Sequence, residues 1–386
     1  MKYDSMIVGA GFAGAVTARQ LAEAGRTVLL LEQRDHIGGN AYDCLNDAGV
    51  LIHQYGPHIF HTNDKEVYDY LSRFTDWRNY EHSVVANIPA DEGRMEMPVP
   101  FNLKSLRLAF GEEKAAKLQD ALIAQYGKET KVTILQLREN DDPALQELAR
   151  YVYDHVFVRY TMKQWGQKPE DIDPAVTARV PVFLSEDCRY FQDAYQGMPL
   201  HGYTPLFQAM LNHPNITLRT GVDGRSMLRF EDGVIYFEDA PFTGDVVYTG
   251  PVDELFGCCF GHLPYRTLDF KFETHNTEFY QSHGTVNYTV DEDFTRITEF
   301  KYLTGQVLPE VTTVMKEYSK AYTGAEGEIP YYAIANPETA ALYEKYTEKA
   351  AAFPRLHLLG RLAEYRYYNM DAIVADALRL SRDLLA

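Results

Sequence analysis

The chain has 386 residues, 46% hydrophobic and 24% charged, which excludes disordered and fibrous classes and leaves room for two or three domains. A formal net charge of −18 makes a broad phosphate-binding surface, and so a nucleic-acid partner, a poor fit; an anionic ligand needs a local cationic site. Cys44, Cys188, Cys258 and Cys259 form no C-x-x-C pair and show no metal-ligand spacing, so free thiols in a reducing cytosol and no bound metal are expected.

Taken in order, Tyr3 to Val8 is a short apolar run that meets Gly9, Gly11 and Gly14. Ala15 to Ala24 has helical composition, and Gly25 closes it. Glycines interrupt the apolar start, which argues against a signal peptide, and no window nears the roughly 18 apolar residues that cross a bilayer. No membrane insertion is expected. Thr27 to Leu31 reads as a second buried strand ending at Glu32, completing a βαβ unit. Asn102 to Tyr126 and Asp142 to Tyr160 carry helical periodicity, with Pro143 suited to a first turn. From Gly221 to Val247, alternating segments broken at Asp232-Gly233 and Thr243-Gly244 predict antiparallel hairpins. Arg266 to Phe272 and Gly284 to Tyr302 continue in strand-like composition. Pro337 to Ala352 predicts a helix, Leu356 to Leu359 a buried strand and Asp371 to Leu385 a closing helix.

The fold class expected is α/β: a Rossmann-type core interrupted by a helical insertion and an antiparallel sheet region. The core takes residues 1–85, 200–250 and 335–386; a helical domain with a mobile lid takes 100–175; an antiparallel substrate domain takes 180–200 and 250–334.

Gly9-Ala10-Gly11-Phe12-Ala13-Gly14 is a G-x-G-x-x-G between strand and helix. Its first Gly permits a tight turn, its second admits a pyrophosphate, and its third lets helix pack on strand. The helix N-terminus adds partial positive charge. Glu32 is placed to accept hydrogen bonds from ribose hydroxyls and disfavours a 2′-phosphate, which points to FAD or NAD over NADP. Glu32-Gln33 then leads to Gly38-Gly39-Asn40, which resembles the motif of glutathione-reductase-like FAD proteins. The strand running into Gly360-Arg361 and the helix opened by Met370-Asp371 resemble the late segment that returns to the flavin in such proteins.

Eight segments narrow the resemblance. Gly56-Pro-His-Ile-Phe-His-Thr62, Tyr160-Thr-Met-Lys-Gln-Trp165, Arg179-Val-Pro-Val182, Tyr190-Phe-Gln-Asp-Ala-Tyr-Gln-Gly197, Tyr248-Thr-Gly-Pro251, Pro264-Tyr-Arg266, Pro330-Tyr-Tyr332 and Tyr365-Arg-Tyr-Tyr-Asn-Met-Asp371 resemble, in order, signatures of the bacterial UDP-galactopyranose mutases. The resemblance implies a cytoplasmic homodimer in cell-wall polysaccharide synthesis that interconverts UDP-galactose and UDP-galactofuranose. Reduced FAD would act through N5 as the nucleophile at the anomeric carbon, with no net redox change. It puts His58 beside the flavin, Arg179 and Arg296 at the diphosphate, and Arg266 near the flavin-side wall. Tyr160, Tyr190, Phe191, Tyr332, Tyr367 and Asn369 complete the substrate set, and Trp165 reads as the tip of the closing lid. His61 braces His58. Each Arg alone could be a surface charge and each Tyr a core residue, but guanidinium forks and Tyr hydroxyls both suit a diphosphate. Met162, Phe183 and Asn369 depart from the family pattern; the first two could alter substrate contacts, and Asn369 removes a charge. The alternatives are a flavin oxidase or dehydrogenase on the same fold, and a flavin-binding protein without turnover.

Overall fold

The computed structural model describes residues 3–90, 92–166 and 181–386. Arg179 and Lys168-Pro169 therefore lie outside the described residues. The chain forms two compact units, residues 1–79, 193–267 and 322–386, and residues 80–192 and 268–321.

The first unit is built on five parallel strands: β1 (Ser5–Val8), β2 (Val28–Leu31), β3 (Ile216–Arg219), β4 (Asp245–Tyr248) and β5 (Leu356–Leu358). Their order is β3-β2-β1-β4-β5, with Ser5 level with Val28 on one side and Asp245 on the other. A sheet covered on both faces needs strands apolar throughout, and Val28 to Leu31 are all fully buried. Helices α1 (Phe12–Glu23), α2 (Tyr203–Leu211) and α3 (Met370–Leu385) flank it. The small residues Ala13, Gly14, Ala15 and Ala18 are buried, which lets α1 sit close to both α3 and the sheet.

The hairpin at Asp232-Gly233 forms as expected, joining Leu228–Glu231 to Val234–Phe237 through two positive-φ residues. Thr243-Gly244 does not make a second hairpin. The next turn falls at Glu238-Asp239, both at positive φ, and Gly244 leads into β4, which pairs parallel with β1. Burial of Val246 and Val247 on both faces overrides the local alternation.

In the second unit, helices Leu103–Tyr126 and Pro143–Val152 share one core with the strands Val84–Pro89 and Arg94–Val99, and the helix Val158–Trp165 follows. Gly111, at φ +72, breaks the first helix, and a π turn at Tyr153–Phe157 joins the other two. Two units rather than three domains result because Val84, Met97 and Val99 of the hairpin pack with Leu106, Leu118 and Leu148 of the helices. The sheet region is not purely antiparallel either: Thr285–Tyr288 runs parallel to Val84–Asn87.

Candidate active site

Strand order in the first unit reverses between β1 and β4, and ligands of doubly wound sheets bind in the crevice at such a switch point. A cavity of about 340 Å³ lies there. Gly9, Gly11, Phe12 and Ala13 line it from the turn after β1, and Glu32, Gln33 and Arg34 from the end of β2. Gly38, Gly39, Asn40, His58, Thr249 to Pro251, Arg361 and Met370 complete most of the wall.

The glycines divide by what they face. Gly9 sits at φ +105, and a Cβ there would lie 2.0 Å from the Thr249 hydroxyl. A Cβ on Gly14 would lie 1.9 Å from the Gly9 carbonyl oxygen, so Gly14 serves packing and does not line the cavity. Gly11 differs: at an ordinary φ of −78, its Cβ would meet nothing closer than the Gly39 Cα at 3.7 Å. Protein packing tolerates a side chain at Gly11, so the bare backbone there leaves room for something else.

Glu32 is 5% exposed and already engaged. Its Oε2 accepts the Ala10 N–H at 2.8 Å and its Oε1 the Arg34 N–H at 3.0 Å, which ties the glycine turn to the end of β2. Each oxygen keeps a lone pair for a hydroxyl. Arg34, which the motif reading passed over, stacks 4.2 Å above the Tyr55 ring and donates from Nη2 to Asn40 Oδ1 at 2.9 Å. Its buried Nη1 has no hydrogen-bond partner among the described residues. A half-buried guanidinium with one buried, unused donor beside a bare glycine turn suits an anionic ligand. A cation two residues past the ribose acid was the signal available in the sequence.

His58 is fixed from two sides. Its N–H donates to His53 Nδ1 at 3.0 Å, and its own Nδ1 lies 2.9 Å from the Gly56 carbonyl. With Nδ1 as the donor, Nε2 is left as the acceptor. Burial lowers the His53 pKa to about 4, so its ring stays neutral and keeps accepting. His61, in the strand Phe60–Thr62, pairs with Asp193 at 2.9 Å, just ahead of the neighbouring strand Tyr195–Pro199. Asp371 lies in the first turn of α3 but not on the cavity wall, whereas Met370 and Ile373 do line it.

Among the proposed substrate residues of the first unit, Arg266 is buried and pairs in register with Tyr332. Burial depresses its pKa. Tyr332 lies 5.4 Å from Tyr367, and the Arg361 guanidinium lies 4.6 Å from the Tyr367 ring. Asn369 precedes α3 without a side-chain capping bond. In the second unit, Tyr190 and Phe191 meet edge to face at 4.9 Å, and His82, not foreseen, stacks 6.0 Å from Phe191. Tyr160 and Trp165 share the helix Val158–Trp165. Trp165 is therefore the last residue of a helix rather than the tip of a loop, and Gly166 ends that helix at φ +67. Arg296 donates through Nε to Glu317 Oε1 at 2.6 Å, and Glu317 is fully buried. Phe183, a departure from the family pattern, is buried in a short strand opposite Lys131.

A UDP-galactopyranose mutase family model matches residues 155–367, and an NAD(P)-binding Rossmann-like domain matches residues 7–74. The UDP-galactopyranose mutase of Mycoplasma pneumoniae is 36% identical over 389 residues, spanning 100% of this chain and 96% of that protein. The chain belongs to the UDP-galactopyranose mutase family. The probable UDP-galactopyranose mutase of Klebsiella pneumoniae is also 36% identical, over 99% of this chain and 94% of that one. The dTDP-fucopyranose mutase of Escherichia coli is 34% identical, over 98% and 97%. Among solved structures, a reduced UDP-galactopyranose mutase matches with a TM-score of 0.68 at 16% identity, over 100% of this chain and 94% of that one. A putrescine oxidase bound to putrescine matches at 0.59 and 15% identity, over 100% and 99%, a likeness of fold alone. The mutase family thus uses a fold that an amine oxidase shares. No helix among the described residues is long and apolar enough to cross a membrane.

Proposed function

We propose that this chain is a cytoplasmic, homodimeric FAD enzyme that interconverts UDP-galactopyranose and UDP-galactofuranose. The observation that carries the cofactor assignment is the cavity at the switch point, where Gly11 is left bare toward open space and Arg34 holds an unused buried donor. FAD fits these groups. The Gly11 backbone and the N-terminus of α1 would face the pyrophosphate, Arg34 would neutralise part of its charge, and Glu32 would accept from ribose hydroxyls. Arg361 and the first turn of α3 would hold the flavin end. Bound and reduced, FAD supplies a nucleophilic N5 for the anomeric carbon, with no net redox change.

The chain's own residues do the rest. His58, with Nδ1 turned to Gly56, presents Nε2 as an acceptor toward the cavity it lines. Arg266, near the flavin-side wall, offers guanidinium donors in a dry setting. Tyr332 and Tyr367 add neutral hydroxyl donors, which hold phosphate oxygens without further charge. Arg179 and Arg296 are proposed as the cations that take up the charge developing on UDP as it leaves, and Tyr160, Trp165, Tyr190 and Phe191 as groups that enclose the nucleotide. Asn369 would serve as a hydrogen-bonding group rather than an acid.

A second substrate reading is favoured by the fucopyranose mutase at 34% identity, nearly that of the galactopyranose mutases. The two substrates differ at the sugar's C6 hydroxyl and at the nucleoside. Incubating dithionite-reduced protein with UDP-galactose and with dTDP-fucose, and separating furanose from pyranose forms by chromatography, tests both. Faster conversion of UDP-galactose supports the proposal. Preference for dTDP-fucose replaces the substrate, and turnover of neither removes the mutase assignment.

A further inference from the structure

A cluster beyond the cavity wall carries chemistry that the mutase reaction does not use. Asp253 in the short helix Val252–Leu255, Cys258 and His262 place a carboxylate oxygen, a thiol sulfur and an imidazole nitrogen within 4.8 Å of one another. Asp253 is only 2% exposed. Its Oδ2 accepts the Leu263 N–H at 2.9 Å and lies 4.0 Å from Cys258 Sγ, while its buried Oδ1 has no hydrogen-bond partner among the described residues. Among the described residues no Lys or Arg pairs with it; the nearby Arg225 is spent on Asp223 and Glu254. A buried carboxylate with an idle oxygen and no cation is costly unless something positive joins it. The loop is shaped to bring the thiol in: the Cys258 N–H donates to the Asp253 carbonyl at 2.8 Å, and Cys258 is held at φ +53.

Thiolate, imidazole and carboxylate together form the donor set of a borderline divalent ion, with solvent as a fourth ligand on the side where His262 is exposed. We propose that Asp253, Cys258 and His262 bind one zinc-type divalent ion, which clips the loop between the cavity wall at Pro251 and the strand that carries Arg266. As the sulfur–metal bond forms, the thiol S–H breaks and its proton passes to solvent. Two anionic ligands then balance the charge of the ion. The D-x4-C-x3-H spacing escapes a search for paired cysteines.

The test is a titration of the flavin-loaded, thiol-reduced protein with Co2+ alone, followed as difference spectra in the thiolate-to-cobalt and d–d bands. The expected result is saturation at one equivalent and displacement by Zn2+. Cys258→Ser and His262→Gln should each weaken binding at least about 100-fold, the upper end of what losing even an outer-shell partner costs. Asp253→Asn, which keeps an acceptor for the Leu263 N–H, should also weaken it, whereas Cys259→Ser should leave the titration unchanged. Zn2+ should raise the Tm of the parent but not of Cys258→Ser. Binding that both Cys258→Ser and His262→Gln leave intact would overturn the site, as would failure to saturate or loss of the signal only in Cys259→Ser. If Cys258→Ser does not fold, the exposed His262→Gln decides alone.

Discussion

Replacing Gly11 and Gly14 separately by Ala should damage the protein in two different ways. At Gly14 the new methyl would lie 1.9 Å from the Gly9 carbonyl oxygen, and Gly9 cannot retreat, because its N–H is bonded to Leu31 and its Cα abuts Thr249. Overpacking of this kind costs about 3 kcal/mol or more when the obstacle is backbone. At Gly11 the nearest atom is 3.7 Å away and φ is ordinary, so the protein itself loses only about 0.5–1 kcal/mol from a poorer helix N-cap. The methyl instead occupies space proposed for the pyrophosphate. A forced contact of about 1–3 kcal/mol corresponds to roughly 5- to 150-fold weaker flavin binding. Urea unfolding of the flavin-free proteins and titration with FAD separate the two effects. Gly14→Ala should lower the urea midpoint sharply, and Gly11→Ala should nearly keep the midpoint while losing flavin affinity. Equal flavin affinity in Gly11→Ala and parent would show that the open space is not where the pyrophosphate sits.

Glu32→Gln should weaken both the turn and flavin retention, because one buried backbone N–H then faces an amide NH2; the loss is about 1–3 kcal/mol in flavin-free stability, read by urea unfolding. His53 binds its proton near pH 4 when folded and near 6.5 when unfolded, so the unfolded chain holds more protons between those values. Its contribution, about 3 kcal/mol, is complete above pH 6.5 and lost as pH falls toward 4, and His53→Asn should flatten stability over that window. Arg296→Ala should cost about 3–5 kcal/mol of stability in addition to activity, since it strands the buried Glu317 carboxylate; adding Glu317→Gln should restore stability but not turnover. UDP should change the tryptophan fluorescence of the parent but not of Trp165→Phe; an undiminished signal in that variant would assign it to Trp77.

The parts of the fold legible in the sequence are those set by short-range pattern. The apolar Val28 to Leu31, the glycines after Val8 and the Pro143 first turn each specify their element locally, and the cavity wall follows from where the first turn and Glu32 must meet. Long-range pairing is less visible. Nothing near Thr243-Gly244 announces that the next strand joins β1 rather than its own hairpin, because only the burial of both faces decides it. The same holds for the core shared by helices and sheet in the second unit, which gathers Met97 and Leu118 from distant stretches of sequence into one cluster. Family signatures drew attention to Arg266 and Tyr332, which the structure pairs in register, but not to Arg34 or His82, whose significance lies in what stands beside them. They also gave no hint that Glu317 is already bound to Arg296.

In the proposed mechanism reduced flavin is required for the interconversion yet is not consumed. The most direct measurement is anaerobic: reduce the enzyme-bound flavin with one equivalent of dithionite, remove the excess, add UDP-galactofuranose, and follow product and flavin absorbance together. The expected result is many molecules of UDP-galactopyranose per flavin, a spectrum still reduced at the end, and no turnover by the oxidised enzyme. Product in stoichiometric step with flavin reoxidation, or equal turnover by oxidised enzyme, would contradict it.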